Sequence, residues 1–106
     1  MDAITARELV TAVSGKLIKG NENEFFTGIC TDSRIFEEKE VFFALKGETS
    51  DGHKFIPMAV DKGCRLCVIS DEKWIEGVDE CTFISVEDTL AALQVLTKWY
   101  LDKIAV

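Results

Sequence analysis

Three stretches of this 106-residue chain carry side chains able to do chemistry. The first, Thr31-Asp32-Ser33-Arg34, sets two hydroxyls, a carboxylate and a guanidinium in consecutive positions. The second, Lys46-Gly47-Glu48-Thr49-Ser50-Asp51-Gly52-His53, follows the apolar run Val41-Phe42-Phe43-Ala44-Leu45 and holds a polar segment between two glycines. Glycine lets backbone amides approach a ligand closely, and a helix starting after such a loop offers unpaired N–H groups to an anion. That is phosphate- or nucleotide-binding chemistry, although an ordinary strand-to-helix connection has the same make-up. The third stretch, Cys64-Arg65-Leu66-Cys67, has the spacing of a metal knuckle or a redox pair.

None of these builds a catalytic centre. The chain has no Gly-x-x-x-x-Gly-Lys-[Ser/Thr] phosphate loop. His53, the single histidine, has no nucleophile at a pairing distance in sequence and reads as a cap or flank of a helix N-terminus. Ser33 lacks a base and reads as a hydrogen-bonding group rather than a nucleophile. Arg34 reads two ways, as a phosphate partner or in a salt bridge to Asp32 or Asp51. The cysteines are expected to be free structural thiols in a reducing cytoplasm. Residues 65–69 read as a buried strand, and positions three apart on a strand face opposite sides. Cys64 and Cys67 are therefore expected to share neither a metal nor a disulfide, and no metal site is predicted.

The elements that must position these residues follow from local pattern. Thr5-Ala6-Arg7-Glu8 is a capping box flanked by Ile4 and Leu9, which predicts a helix over 5–14 with Val10 and Val13 inward and Gly15 as its stop. Strands are predicted over 16–18, 26–30, 41–45, 65–70 and 82–86. The continuous apolar run at 41–45 implies burial on both faces. A helix should start at 53–54, with Pro57 in its first turn, Phe55, Met58, Ala59 and Lys62 on one face, and Gly63 as its stop. The acidic segment 71–80 reads as a loop with a helical turn. A last helix over 87–104 carries one stripe of Leu90, Leu93, Thr97, Tyr100, Leu101 and Ile104, expected to dock on the sheet. Ala92, Val95, Leu96 and Trp99 form a second apolar face. The sum is a three-layer α/β domain with a mixed sheet of about five short strands and flanking helices.

Composition narrows the partners. With 47% hydrophobic and 29% charged residues, the chain is ordinary globular material rather than disordered. Twelve basic against nineteen acidic residues give a net charge of −7, a poor match for nucleic acid or an anionic membrane. No apolar stretch reaches ~18 residues and the N-terminus lacks a signal pattern, so a cytoplasmic protein is expected.

In combination, Thr31-Asp32-Ser33-Arg34, the run 41–48 and Asp51-Gly52-His53-Lys54-Phe55-Ile56 resemble the amino-terminal domain of the Mur ligases. The resemblance spans residues 4–104. It is narrower to the MurF type, which adds D-alanyl-D-alanine to UDP-N-acetylmuramoyl-tripeptide. The MurE type shares the Asp-Ser-Arg and Asp-Gly pattern, but residues 43–48 and the opening helix sit closer to MurF. The resemblance implies a domain that holds the UDP end of a UDP-N-acetylmuramoyl-peptide within an ATP-dependent amide-bond ligase of peptidoglycan synthesis. ATP and Mg2+ would belong to a central domain, leaving no cofactor and no catalytic residue here. Thr31 and Ser33 align with uridine contacts, and Glu48, Thr49 and Ser50 with a loop that closes on the nucleotide. Arg34, Asp51, Gly52 and His53 are secondary candidates.

The same resemblance implies one domain of a longer enzyme, inactive alone, with residues 104–106 opening a strand toward an ATP loop. The face around Val95 and Trp99 would meet the central domain. One departure is the turn Glu37-Glu38-Lys39-Glu40, where the family has proline-glycine-aspartate; it is expected to form a type I turn. A non-catalytic regulatory domain of similar architecture, such as the amino-terminal domain of HPr kinase, is the alternative from another class.

Overall fold

The computed structural model describes residues 1–105. Thr5 opens the first helix as the capping box requires. Its hydroxyl accepts from the Glu8 N–H at 3.2 Å, and a Glu8 carboxylate oxygen accepts from the Thr5 N–H at 3.1 Å. That hydrogen bond to the Thr5 backbone is the main reason the Glu8 carboxyl sits below its ordinary range. The helix, α1, runs Ala6–Val13 and buries Ala6 and Leu9, with Val10 and Val13 half-buried. The left-handed residue that ends it is Ser14 (φ 55°), not Gly15. Gly15 is needed for space, because a Cβ there would lie 2.8 Å from Ile84 Cγ2.

The expected mixed sheet is present. Five strands, β2 (Lys16–Lys19), β4 (Gly28–Cys30), β5 (Glu40–Phe43), β6 (Leu66–Ile69) and β7 (Thr82–Ser85), lie in the order β2-β7-β6-β5-β4. The last four in sequence are mutually parallel, and β2 closes one edge antiparallel to β7. The strand expected over 26–30 is divided. Its first part, β3 (Phe25–Phe26), pairs with β1 (Ile4–Thr5) in a separate ribbon, because Phe26 and Ile4 are both drawn into the core under α1.

Parallel strands laid down in sequence order with right-handed crossovers put their connections on one face. That face carries α2 (Ile56–Asp61), and α1 with α3 (Thr89–Ile104) covers the other. The strands alternate accordingly. Val41, Phe43, Leu66, Val68 and Ile84 pack toward α1 and α3, while Phe42, Ala44, Cys67, Ile69 and Phe83 pack toward α2. Both faces are covered, hence the unbroken apolar runs.

Both later helices are rotated from the expected faces. A 3₁₀ turn, Gly52–Phe55, precedes α2, and its tighter winding shifts the phase so that Ile56 and Ala59 point inward while Phe55 and Met58 stay exposed. Gly63, at φ 103°, follows the helix as its stop. In α3 the inner stripe is Thr89, Ala92 and Leu96, flanked by Leu93 and Tyr100, whereas Leu90, Thr97, Leu101 and Ile104 are exposed. Two contacts fix that rotation: Thr89 Oγ1 donates to the Ala44 carbonyl at 2.8 Å, and Asp88 caps the Leu90 and Ala91 N–H groups. At the end of the helix Ile104 is still helical and the Ala105 N–H donates to the Leu101 carbonyl, so neither begins a strand. Val106 lies outside the described residues.

Candidate functional site

The carboxyl ends of the parallel strands share one construction. Asp32, Asp51, Asp71 and Asp88 each stand at or shortly after a strand exit and accept a backbone N–H from two residues on: Arg34, His53, Lys73 and Leu90. A carboxylate used this way turns the chain and satisfies an N–H that neither sheet nor helix can take. Between two of these turns lies a cleft of about 490 Å³, lined by Thr31, Asp32, Ser33, Arg34, Leu45, Ser50, Gly52 and Phe55. One wall leaves β4 and the other leaves the adjacent β5, so neighbouring parallel strands bring the two sequence stretches together.

The second wall is a miniature hairpin. Lys46 pairs with Asp51, the Gly47 N–H donates to the Ser50 carbonyl at 2.8 Å, and the Gly52 N–H donates to the Leu45 carbonyl at 2.7 Å. Glu48 and Thr49 form its exposed tip and are not among the cleft-lining residues, whereas Ser50 and Gly52 line it. Gly52 serves backbone packing: a Cβ there would lie 2.6 Å from the Leu45 carbonyl oxygen.

His53 is buried and ties this hairpin to the next strand exit. Its Nδ1 lies 2.7 Å from an Asp51 carboxylate oxygen, and its Nε2 accepts the Ser70 N–H at 2.9 Å. With Nε2 accepting, the ring carries its proton on Nδ1 and donates to Asp51. Burial would raise the Asp51 carboxyl, but the His53 hydrogen bonds outweigh it and the net shift is downward. His53 and Asp51 therefore position the loop and do not face the cleft.

Arg34 resolves toward the salt bridge. Its Nη2 sits 2.7 Å and its Nε 3.0 Å from the two Asp32 carboxylate oxygens. The side-chain hydrogen bond from Arg34 is the main reason the Asp32 carboxyl is held down to about 2. Nη1 of Arg34 makes no hydrogen bond among the described residues, so a donor stays free at the rim. Ser33 is buried, with its hydroxyl 3.3 Å from Met58 Sδ. Leu45 and Phe55, which are not among the candidates the sequence offers, supply apolar walls. The repeated aspartate-capped turn is the signal that would have marked Asp32 and Phe55.

The cysteines depart from expectation. Cys64 precedes β6 instead of lying on it, so the two-face rule does not apply, and its sulfur is 3.7 Å from that of Cys67. Cys81, just before β7, places its sulfur 3.6 Å from Cys67 on the other side. Hydrogen bonds from Cys67 and Cys81 favour the Cys64 thiolate, while the bond to Cys64 and burial hold Cys67 and Cys81 above the ordinary thiol range. Cys30, raised by burial, donates to the Asp32 carbonyl.

The family described as "Mur ligase family, catalytic domain" matches residues 25–100. The UDP-N-acetylmuramoyl-tripeptide–D-alanyl-D-alanine ligase of Haemophilus influenzae is 36% identical over 98% of this chain and 22% of its own length. The UDP-N-acetylmuramoyl-L-alanyl-D-glutamate–2,6-diaminopimelate ligase of Cytophaga hutchinsonii is 34% identical over 91% of this chain and 20% of its own length. The chain thus spans about a fifth of the length of the curated relatives it matches. Among solved structures, MurF from Acinetobacter baumannii superposes with a TM-score of 0.78 at 30% identity, covering 99% of this chain and 22% of that one.

Proposed function

This chain belongs to the Mur ligase family, and we propose that it is the domain that holds the UDP end of a UDP-N-acetylmuramoyl-peptide for an ATP-dependent ligase of peptidoglycan synthesis in the cytoplasm. The observation that carries this reading is the cleft between Thr31–Arg34 and the hairpin, at the carboxyl ends of adjacent parallel strands, where open α/β sheets take their ligands. In the proposed pose the uracil lies against Phe55 and Leu45, with its polar edge toward the 31–33 backbone. The diphosphate meets the Ser50 hydroxyl and the free Arg34 Nη1. Glu48 and Thr49, at the hairpin tip, close over it. Catalysis, ATP and Mg2+ are assigned to a domain outside this chain, and the isolated chain is expected to turn over no ATP.

Similarity to MurF structures over 99% of the chain favours the D-alanyl-D-alanine-adding type. The 34% identity to the diaminopimelate-adding relative supports MurE as the second reading. For the partner domain, Val95 is the exposed apolar residue of its face at 48%, while Trp99 is half-buried beneath Lys103, whose Nζ lies 5.1 Å from the indole centre. We assign the interdomain contact to Val95 with the exposed edge of Trp99.

Titrating UDP onto the chain while following amide chemical shifts tests the site. Shifts centred on residues 31–34 and 45–55, with a dissociation constant on the order of 1 mM (about −4 kcal/mol), are expected. Shifts confined to the other end of the sheet would overturn it. In the intact ligase Ser50→Ala should raise KM for the UDP-sugar and leave kcat nearly unchanged, since a contact remote from the forming bond acts equally in ground and transition states. The loss should be about 0.5–1.5 kcal/mol for a neutral hydrogen bond and up to roughly 3 kcal/mol for one to phosphate.

A further inference from the structure

We propose that Cys64, Cys67 and Cys81 form a buried three-thiolate site for a soft, thiophilic metal ion of the Zn2+ or Cu+ class. Three sulfurs from two separate strand entries converge here, all within 4.8 Å of one another, with two separations of 3.7 and 3.6 Å. An ion equidistant from them would sit roughly 2.1–2.4 Å from each sulfur, which brackets the Zn–S bond length of about 2.3 Å. Thiolate is the ligand type that selects such ions over harder ones.

The backbone holds the three side chains in place. The Cys64 N–H donates to the Ala59 carbonyl at 2.9 Å, anchoring that residue to the end of α2. The Thr82 N–H donates to the Arg65 carbonyl at 2.9 Å and pins the entry to β7 beside the entry to β6. Cys67 reaches the same point from within β6, on the face that packs toward α2. Phe42, Ile56, Ala59 and Phe83 surround the trio and keep it dry. Arg65 supplies the neighbouring cation: its Nη1 donates to the Cys64 carbonyl at 2.8 Å, and its Nη2 lies 3.7 Å from Glu80. Three thiolates around a dication leave one net negative charge, which that guanidinium offsets from the rim. Binding forms three metal–sulfur bonds, each sulfur that still carries a proton releasing it to solvent, and nothing is oxidised or reduced. The site lies at the amino ends of the parallel strands, away from the cleft, and it does not depend on what the cleft binds.

The test is an anaerobic titration of the reduced, metal-free chain with Cd2+, followed by ultraviolet absorbance and thermal denaturation. One equivalent should saturate a sulfur-to-cadmium charge-transfer band with the intensity of three thiolates, and the thermal midpoint should rise and fall back when chelator is added. Cys30→Ser should behave like the natural chain, while C64S and C81S should bind at least ~10-fold more weakly, as expected on losing a metal ligand or its support. Should those variants fail to fold, the natural chain still decides the matter. No band, a band worth fewer than three sulfurs, or an unchanged midpoint would overturn the proposal. So would a band that persists in the C64S/C81S double variant.

Discussion

The two ends of the four parallel strands are built on opposite plans. At the carboxyl end the chain leaves the sheet through polar, aspartate-capped turns that enclose an open cleft. At the amino end it enters β6 and β7 through short segments pinned by backbone hydrogen bonds, and the side chains there are thiols buried in the core. The middle of each strand is the same dry, doubly covered structure. The difference teaches how a sheet can carry an open site. Loops that satisfy their own N–H groups with side-chain carboxylates can stay exposed without orphaned backbone, whereas entries that rely on backbone pairing alone pull whatever they carry inward.

A pair of glycine substitutions breaks this comparison most sharply. At the carboxyl end, Gly52→Ala drives a Cβ to 2.6 Å from the Leu45 carbonyl oxygen and 2.8 Å from its nitrogen, so the backbone must move and the hairpin wall is lost. We expect a loss of about 2–3 kcal/mol and a thermal midpoint lower by roughly 10–20 °C. At the amino end, Gly63→Ala meets nothing within 4 Å and bears only the strain of φ 103°, a cost of roughly 1–2 kcal/mol. Equal losses in the two variants would mean that the hairpin is not the tightly built part.

Acid should separate the ends next. The folded-state carboxyls of Asp32, held to about 2, and Asp51, also lowered, lie below the ordinary aspartate value of 3.8. Between those limits the unfolded loops bind more protons than the folded ones. The stabilisation from these two groups is therefore complete above the unfolded value and disappears as pH falls through the folded one. Hydrogen exchange from pH 5 down to about 2 should show amides at 32–34 and 51–54 losing protection first, with β6 and β7 still closed. Simultaneous opening of both ends would remove the distinction.

What was legible in the sequence was what is decided locally or by adjacent strands. The Thr5–Glu8 box spans four residues and formed as read. The 31–34 and 50–52 stretches meet because they leave neighbouring parallel strands. What failed depended on partners far along the chain. The two-face rule fails for Cys64 because that residue stands two positions before β6, where the alternation of a strand does not hold, and strand ends are the least determined part of a sequence. The rotation of α3 was set by Thr89 reaching the Ala44 carbonyl, which lies 45 residues earlier. His53 reads from its neighbours as the flank of a helix, yet its Nε2 accepts the N–H of Ser70, 17 residues on.

The smallest predicted effect tests the amino end by itself. The turn before β5 closes with the Glu40 N–H donating to the Glu37 carbonyl at 3.3 Å, and Lys39 stands at φ 66°. A positive φ at the third position makes this a type II geometry rather than the type I expected for four charged residues. Lysine in the left-handed region costs roughly 1–2 kcal/mol. Lys39→Gly removes that strain. It also gives up the contact of the Lys39 ammonium with the Phe25 ring, whose centre lies 4.6 Å from Nζ, worth about 0.5–1 kcal/mol at an exposed site. The added glycine freedom in the unfolded chain takes back a further ~0.4–1 kcal/mol. At mid-range the three contributions nearly cancel, so the thermal midpoint should stay within roughly 2 °C of that of the natural chain. Because the turn lies at the strand entry, UDP affinity should stay the same. A changed affinity would mean that the amino-end turn reaches the cleft through β5, and the two ends would no longer be separable.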